Sequence, residues 1–220
     1  MSPRLASIAL LPLVCGLIAA CGGDDSDDPG VELPEGCEQV AEPEPKQVEL
    51  RRPQGLKPPA AGTVTVVDTS CGSFEIELDT RSSPRTTASF ANMVEEGVYN
   101  GTGFHRIVPD FVIQAGDPRG DGTGDAGYFV DEPPPDDVAY TRGTVAMAKT
   151  EVEPPGRSGS QFFVVVAADA GLPADFALLG EVGSGLDVVE RIARIGDPAA
   201  GQSGAPLAPV VIDSITLKRR

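Results

Sequence analysis

The chain has 220 residues and a formal net charge of −16. An excess of acid on that scale excludes nucleic acid and docking on anionic lipid by charge, because both need a basic surface. With 8 Phe, 3 Tyr and no Trp, a core must come mainly from Val, Ile, Leu and Ala.

Residues 1–20 read as a targeting segment to be kept out of the fold. Arg4 supplies a positive start, and Leu5 to Ala20 form an apolar run broken by Ser7 and Pro12. The run is short for a membrane span and suits the apolar part of a signal. It ends in Leu17-Ile18-Ala19-Ala20-Cys21, which resembles a bacterial lipobox. On that resemblance residues 1–20 are a lipoprotein signal peptide and Cys21 is the lipidation site; an ordinary cleaved signal is the alternative. Cys15 fits worse, because Val14 before it is large. Two acyl chains anchor stably where one does not. The expected location is therefore extracytoplasmic, with the chain lipid-anchored to the bacterial cell membrane. An oxidising compartment permits disulfides. Cys37 and Cys71 are then left as a disulfide or as two free thiols; a bond would staple the pre-domain segment to an early strand.

Residues 21–60 open with Asp24-Asp25-Ser26-Asp27-Asp28 and continue through Pro29, Pro34, Pro43, Pro45, Pro53, Pro58 and Pro59. That composition predicts a disordered acidic, Pro-rich tether. The texture changes from Gly62, and 61–220 are expected to form one domain. Thr63–Val67 reads as a strand, and Phe74, Ile76 and Leu78 alternate with polar residues as in a half-buried one. Ser83-Pro84 predicts a helix start with a capping hydroxyl, Phe90, Ala91, Met93 and Val94 its apolar face, and Gly97 its stop. Further strands are expected over Gly103–Ile107, Phe111–Ala115, Thr144–Ala148, Gln161–Val166, Ala177–Val182 and Val210–Leu217. A second helix is expected over Leu186–Ile195. Many short strands with two helices point to a mainly β fold, either barrel or sandwich.

The chemistry concentrates in Gly103-Phe104-His105-Arg106-Ile107-Val108-Pro109-Asp110-Phe111-Val112-Ile113-Gln114 and in Gly159-Ser160-Gln161-Phe162-Phe163-Val164. The two runs together resemble the signature of cyclophilin-type peptidyl-prolyl isomerases, and the likeness covers nearly all of 61–220. It implies a closed eight-stranded antiparallel barrel capped by two helices. It also implies catalysis at Arg106, Gln114 and Phe111, with substrate binding by Val112, Ala148, Lys149, Gln161, Phe163, Leu172 and Phe176. Bare periodicity would make the apolar members plain core and the glutamines plain surface.

The reaction so implied is rotation about X-Pro bonds, with no cofactor and no metal. A guanidinium suits it, since it stays charged and offers a rigid fork of donors to the prolyl nitrogen as the amide twists. Lys149 replaces an asparagine common in the family; if the contact there uses the main chain the change is mild, and a basic side chain would favour acidic substrates. Gly171 stands where many members have tryptophan, which implies weak cyclosporin sensitivity, and Phe176 where many have histidine. His105, the single histidine, is expected to be structural, because the reaction transfers no proton. Asp117–Asp125 fails as a calcium loop, since Arg119 takes a ligand position.

The expected function is thus a prolyl isomerase acting on exported proteins and assisting their folding. Its partners would be proline-containing peptides and unfolded exported chains, with no nucleic acid, and a monomer is expected. The alternatives are a catalytically weak module that binds proline-containing peptides at the cell surface, favoured by Gly171 and Phe176, and a structural envelope lipoprotein.

Overall fold

The computed structural model describes residues 31–219. The signal segment 1–20, the lipidation site Cys21 and the acid run 24–28 lie outside the described residues.

In chain order the strands are Thr63–Thr69 (β1), Gly72–Leu78 (β2), Thr102–Gly103 (β3), Arg106–Val108 (β4), Val112–Ala115 (β5), Val130–Asp131 (β6), Thr144–Met147 (β7), Arg157–Ser158 (β8), Phe162–Val165 (β9), Leu178–Ser184 (β10) and Val211–Arg219 (β11). Helix α1 spans Pro84–Glu95 and α2 spans Leu186–Ala193. Among the described residues nine strands form one antiparallel sheet in the order β3-β11-β1-β2-β10-β7-β9-β5-β4, and β6 pairs with β8 in a small ribbon. The fold is mainly β with a curled sheet and two short helices, and the large interior side chains, Phe74, Phe90, Tyr99, Phe104 and Phe162, are fully buried between them.

A closed ring of eight strands was expected, whereas the ladder has nine strands and two edges. Its edges are the two halves of the single strand expected over Gly103–Ile107. The first half joins β11 at Val211↔Gly103 and the second joins β5 at Arg106↔Gln114. Between them the Phe104 N–H still donates to Val210 O, but the Ile107 N–H donates to Gly204 O. The chain thus turns from one ladder to the other within two residues.

Local chemistry accounts for the helices. Pro84 opens α1, as expected, but Ser83 makes no side-chain cap. The Glu132 carboxylate caps the end instead, accepting the Arg85 and Thr86 N–H groups at 3.1 and 2.7 Å. A carboxylate satisfies two orphan donors and complements the helix dipole, which a lone hydroxyl does less well. α2 turns Val188, Val189, Ile192 and Ala193 inward.

Residues 31–60 contain neither helix nor strand, yet they lie on the domain rather than running free. Leu33, Val48, Leu50 and Leu56 pack against the core, and Cys37 is bonded to Cys71. The Glu38 N–H donates to Ser70 O at 2.7 Å. Low apolar density predicts disorder for an isolated segment. Here a few well-spaced apolar residues bury themselves on a surface the sheet has already formed, and the disulfide restricts the chain further.

Candidate active site

Strands β5, β7 and β9 carry apolar residues on both faces, and that doubling builds the site. Ile113, Val145, Met147, Phe162 and Val164 point into the main core, while Val112, Ala146, Phe163 and Val165 form a second cluster on the other side. Alternation along a strand separates the two sets. Tyr140 completes the second cluster, with Phe111, Ala148, Leu172 and Phe176 packed against it.

The Pro109-Asp110 turn places Phe111 at its edge. The Phe111 N–H returns to Val108 O at 3.1 Å, and Asp110 adopts φ 58°. Pro followed by a residue at positive φ is the pattern of a type II turn. Phe111 thereby lies beneath the Arg106 guanidinium, 5.8 Å from its ring centroid.

Arg106 is held from three directions. Its Nε donates to Gln202 O at 3.0 Å, Nη2 to Gln202 Oε1 at 3.4 Å and Nη1 to Gln114 Oε1 at 3.3 Å. Partial burial pushes its pKa down. Gln114 in turn donates from Nε2 to Gln161 Oε1 at 2.9 Å. The Gln161 amide nitrogen finishes the chain on the carbonyls of Gly122 and Gly124, at 3.1 and 2.9 Å. Both amide orientations follow from this, because each oxygen faces a donor and each nitrogen an acceptor.

Beside the guanidinium opens a cleft of about 270 Å³. Phe111, Val112, Phe163, Leu172 and Phe176 form its apolar wall, with Ala148, Lys149 and Gln114 at the polar margin. Phe163 and Phe176 meet edge to face at 5.4 Å, and Tyr140 meets Phe176 at 5.9 Å. The Tyr140 hydroxyl donates to Phe176 O at 2.6 Å and accepts the Phe176 N–H at 3.0 Å. Burial raises the Tyr140 pKa.

The sequence-derived residues therefore converge: Arg106, Phe111, Val112, Gln114, Ala148, Lys149, Phe163, Leu172 and Phe176 line one cleft, and Gln161 stands behind Gln114. Of the two readings of Lys149, the structure disfavours a free basic side chain. Its side chain is 3% exposed and its ammonium lies 2.6 Å from Asp175 Oδ2. Two carbonyls, Thr150 O and Glu153 O, accept from it at 3.1 Å, and the Phe176 ring centroid is 5.6 Å away. A cation so enclosed is not a free charge for an acidic substrate. Gly171, next to Leu172, leaves the rim open: among the described residues nothing lies within 4 Å of where a Cβ would stand.

His105 lies outside the cleft. Burial pushes its pKa down, opposed in part by the Asp117 carboxylate. Sequence reasoning missed Gln202, Tyr140 and Asp175. Gln202 comes from a Gly-flanked 3-10 turn, Pro198–Ser203, 96 residues from Arg106, and no local pattern marks it.

Comparison with known proteins agrees with this geometry. The family described as cyclophilin type peptidyl-prolyl cis-trans isomerase/CLD matches residues 64–217. A probable peptidyl-prolyl cis-trans isomerase B of Mycobacterium leprae is 36% identical over 74% of this chain and 62% of its own. Its Mycobacterium tuberculosis counterpart is 34% identical over 86% of this chain and 66% of its own. The chain thus spans somewhat less than two thirds of the length of those relatives. A cyclophilin type isomerase of Cryptosporidium parvum, crystallised in the presence of the dipeptide Ala-Pro, superposes with a TM-score of 0.63 at 26% identity. That match covers 71% of this chain and 99% of the other. An Arg106 held by paired glutamines over an aromatic cleft, on this sheet and with these matches, makes the chain a member of the cyclophilin-type peptidyl-prolyl cis-trans isomerase family.

Proposed function

We propose that the chain is a prolyl isomerase that turns X-Pro bonds of exported proteins and so assists their folding. The observation that carries it is the fixed Arg106 guanidinium at the lip of the apolar cleft. Amide resonance sets a barrier of about 18–20 kcal/mol to rotation. A catalyst must bind the twisted amide better than either planar form, and each 1.36 kcal/mol of that preference gives about tenfold in rate. The aromatic wall holds the proline ring by its apolar faces. As the amide twists, the prolyl nitrogen gains a basic lone pair, and a guanidinium proton meets it. Gln114 and Gln202 hold the cation in place beforehand, so little reorganisation accompanies the step.

The expected ring of eight strands belongs to this reading: β3 and β4 would act as one strand, closing the sheet beneath the cleft. The location belongs to it as well. The lipobox-like run ending at Cys21 supports a lipid anchor on the outer side of a bacterial membrane, and the Cys37–Cys71 bond suits an oxidising compartment. Fatty-acid labelling of the full chain should be lost in Cys21→Ser; labelling that persists removes the anchor.

A coupled cis/trans assay with a proline-containing peptide tests the activity. Arg106→Ala should lose about two orders of magnitude in kcat/KM, equivalent to about 3 kcal/mol. Equal and negligible rates for wild type and variant would reduce the chain to a proline-binding module, the reading that the open rim at Gly171 favours.

A further inference from the structure

The segment 31–60 lies outside the family match at 64–217, yet it touches the site through a connected set of contacts. The Lys46 N–H donates to Pro118 O and the Leu50 N–H to Ala126 O, both at 2.8 Å. Pro118 and Ala126 are the two stems of one loop. Inside that loop are Gly122 and Gly124, whose carbonyls fix the Gln161 amide. Gln161 orients Gln114, and Gln114 orients Arg106.

The loop's other restraints are side-chain hydrogen bonds made within it, those that Asp121 accepts from the Thr123 N–H and hydroxyl among them. Asp117 accepts the Arg119 and Gly122 N–H groups, and the Asp125 carboxylate accepts from Gly127, but no strand runs between 117 and 127. The strap and loop are in close apposition. A Cβ at Gly127 would stand 2.8 Å from Leu50 O and 3.0 Å from Glu49 Cα. Leu50 and Val48 pack against the core, and upstream the strap is bonded at Cys37–Cys71.

The geometry points to the strap, through Lys46 and Leu50, as a positioning element of the isomerase site, held in register by the Cys37–Cys71 bond. It presses both stems of the 118–126 loop into place, and the loop carbonyls then hold Gln161, Gln114 and finally the guanidinium. Neither Lys46 nor Leu50 touches substrate. Reduction of the disulfide loosens the strap and with it the amide chain, so turnover depends on the redox state of a bond remote from the cleft.

The kinetic arm of the test rests on the isomerase reading; the second arm does not. The full chain is compared with Cys37→Ser/Cys71→Ser and with Leu50→Ala, which keeps the disulfide. Both variants should lower kcat by about three- to tenfold with KM within twofold, and Leu50→Met should recover most of the loss. Amide hydrogen exchange across Gly122–Asp125 should quicken by about tenfold or more, while β1 and β2 stay protected. Unchanged exchange in the loop overturns the proposal. Faster exchange with unchanged kcat overturns it too, leaving the strap as a mere cover. A wild type without isomerase activity defeats the proposed function instead, and exchange alone then decides whether the strap holds the loop. If the double variant does not fold, Leu50→Ala decides on both arms.

Discussion

The Lys149 ammonium lies 2.6 Å from the Asp175 carboxylate with 3% of the lysine side chain and 29% of the aspartate exposed. Asp175 immediately precedes Phe176, so the pair fastens the aromatic wall to the end of β7. Removing one partner of a buried pair strands the other charge, which costs about 3–5 kcal/mol in a fully buried case. Asp175→Asn should therefore destabilise the fold by about 2–3 kcal/mol, since Asp175 is partly wet and the carbonyls of Thr150 and Glu153 still accept from the ammonium. Urea unfolding measures this. In the isomerase assay KM should rise with little change in kcat, because in the proposed function the wall binds proline while the guanidinium acts on the twisted amide. An undisturbed KM would show that the pair does not shape the wall.

A related prediction concerns Gln161, which meets Gln114 and the loop carbonyls. Gln161→Ala leaves the Gln114 amide nitrogen without its acceptor and frees Gln114 to turn away from Arg106. Pre-organised charge is lost rather than proline contact. We expect kcat to fall about tenfold, equivalent to about 1.4 kcal/mol, with KM nearly constant. A change confined to KM would place Gln161 among substrate contacts instead.

Much of the site was legible in the sequence because two short runs, 103–114 and 159–164, resemble a family signature; periodicity then says only which of their residues share a face. Two residues of β5, Val112 and Gln114, must share a face once Ile113 is inward, and β9 places Phe163 across from Gln114. The continuous run Phe162–Val166 shows that both faces of β9 are covered, though not by what. Illegible were contacts set by loops and by distance along the chain. Glu132 caps α1 from 47 residues beyond Arg85, and Gln202 reaches Arg106 from the distant turn Pro198–Ser203. Residues 31–60 fail for another reason. Composition counts average apolarity, whereas Leu33, Val48, Leu50 and Leu56 need only be correctly spaced to find a surface already made.

The buried imidazole of His105 gives a dependence on pH. Burial is the main cause of its lowered pKa, with the Asp117 carboxylate opposing and the Arg106 cation assisting. The folded chain thus prefers the neutral ring. Above the unfolded value, about 6.5, both states are neutral and stability is undiminished. As pH falls below that value the unfolded chain takes up a proton before the folded one does, so stability declines until the folded group titrates too. Carboxylates such as Asp131, whose pKa the Arg157 hydrogen bond lowers, titrate well below this window. Thermal unfolding between pH 7.5 and 5.5 should show Tm falling below about pH 6.5 in the wild type. In His105→Gln the slope across the same interval should be largely abolished, whatever the variant's absolute Tm. Parallel slopes in the two proteins would mean that the ring is protonated equally in both states and contributes nothing to the dependence.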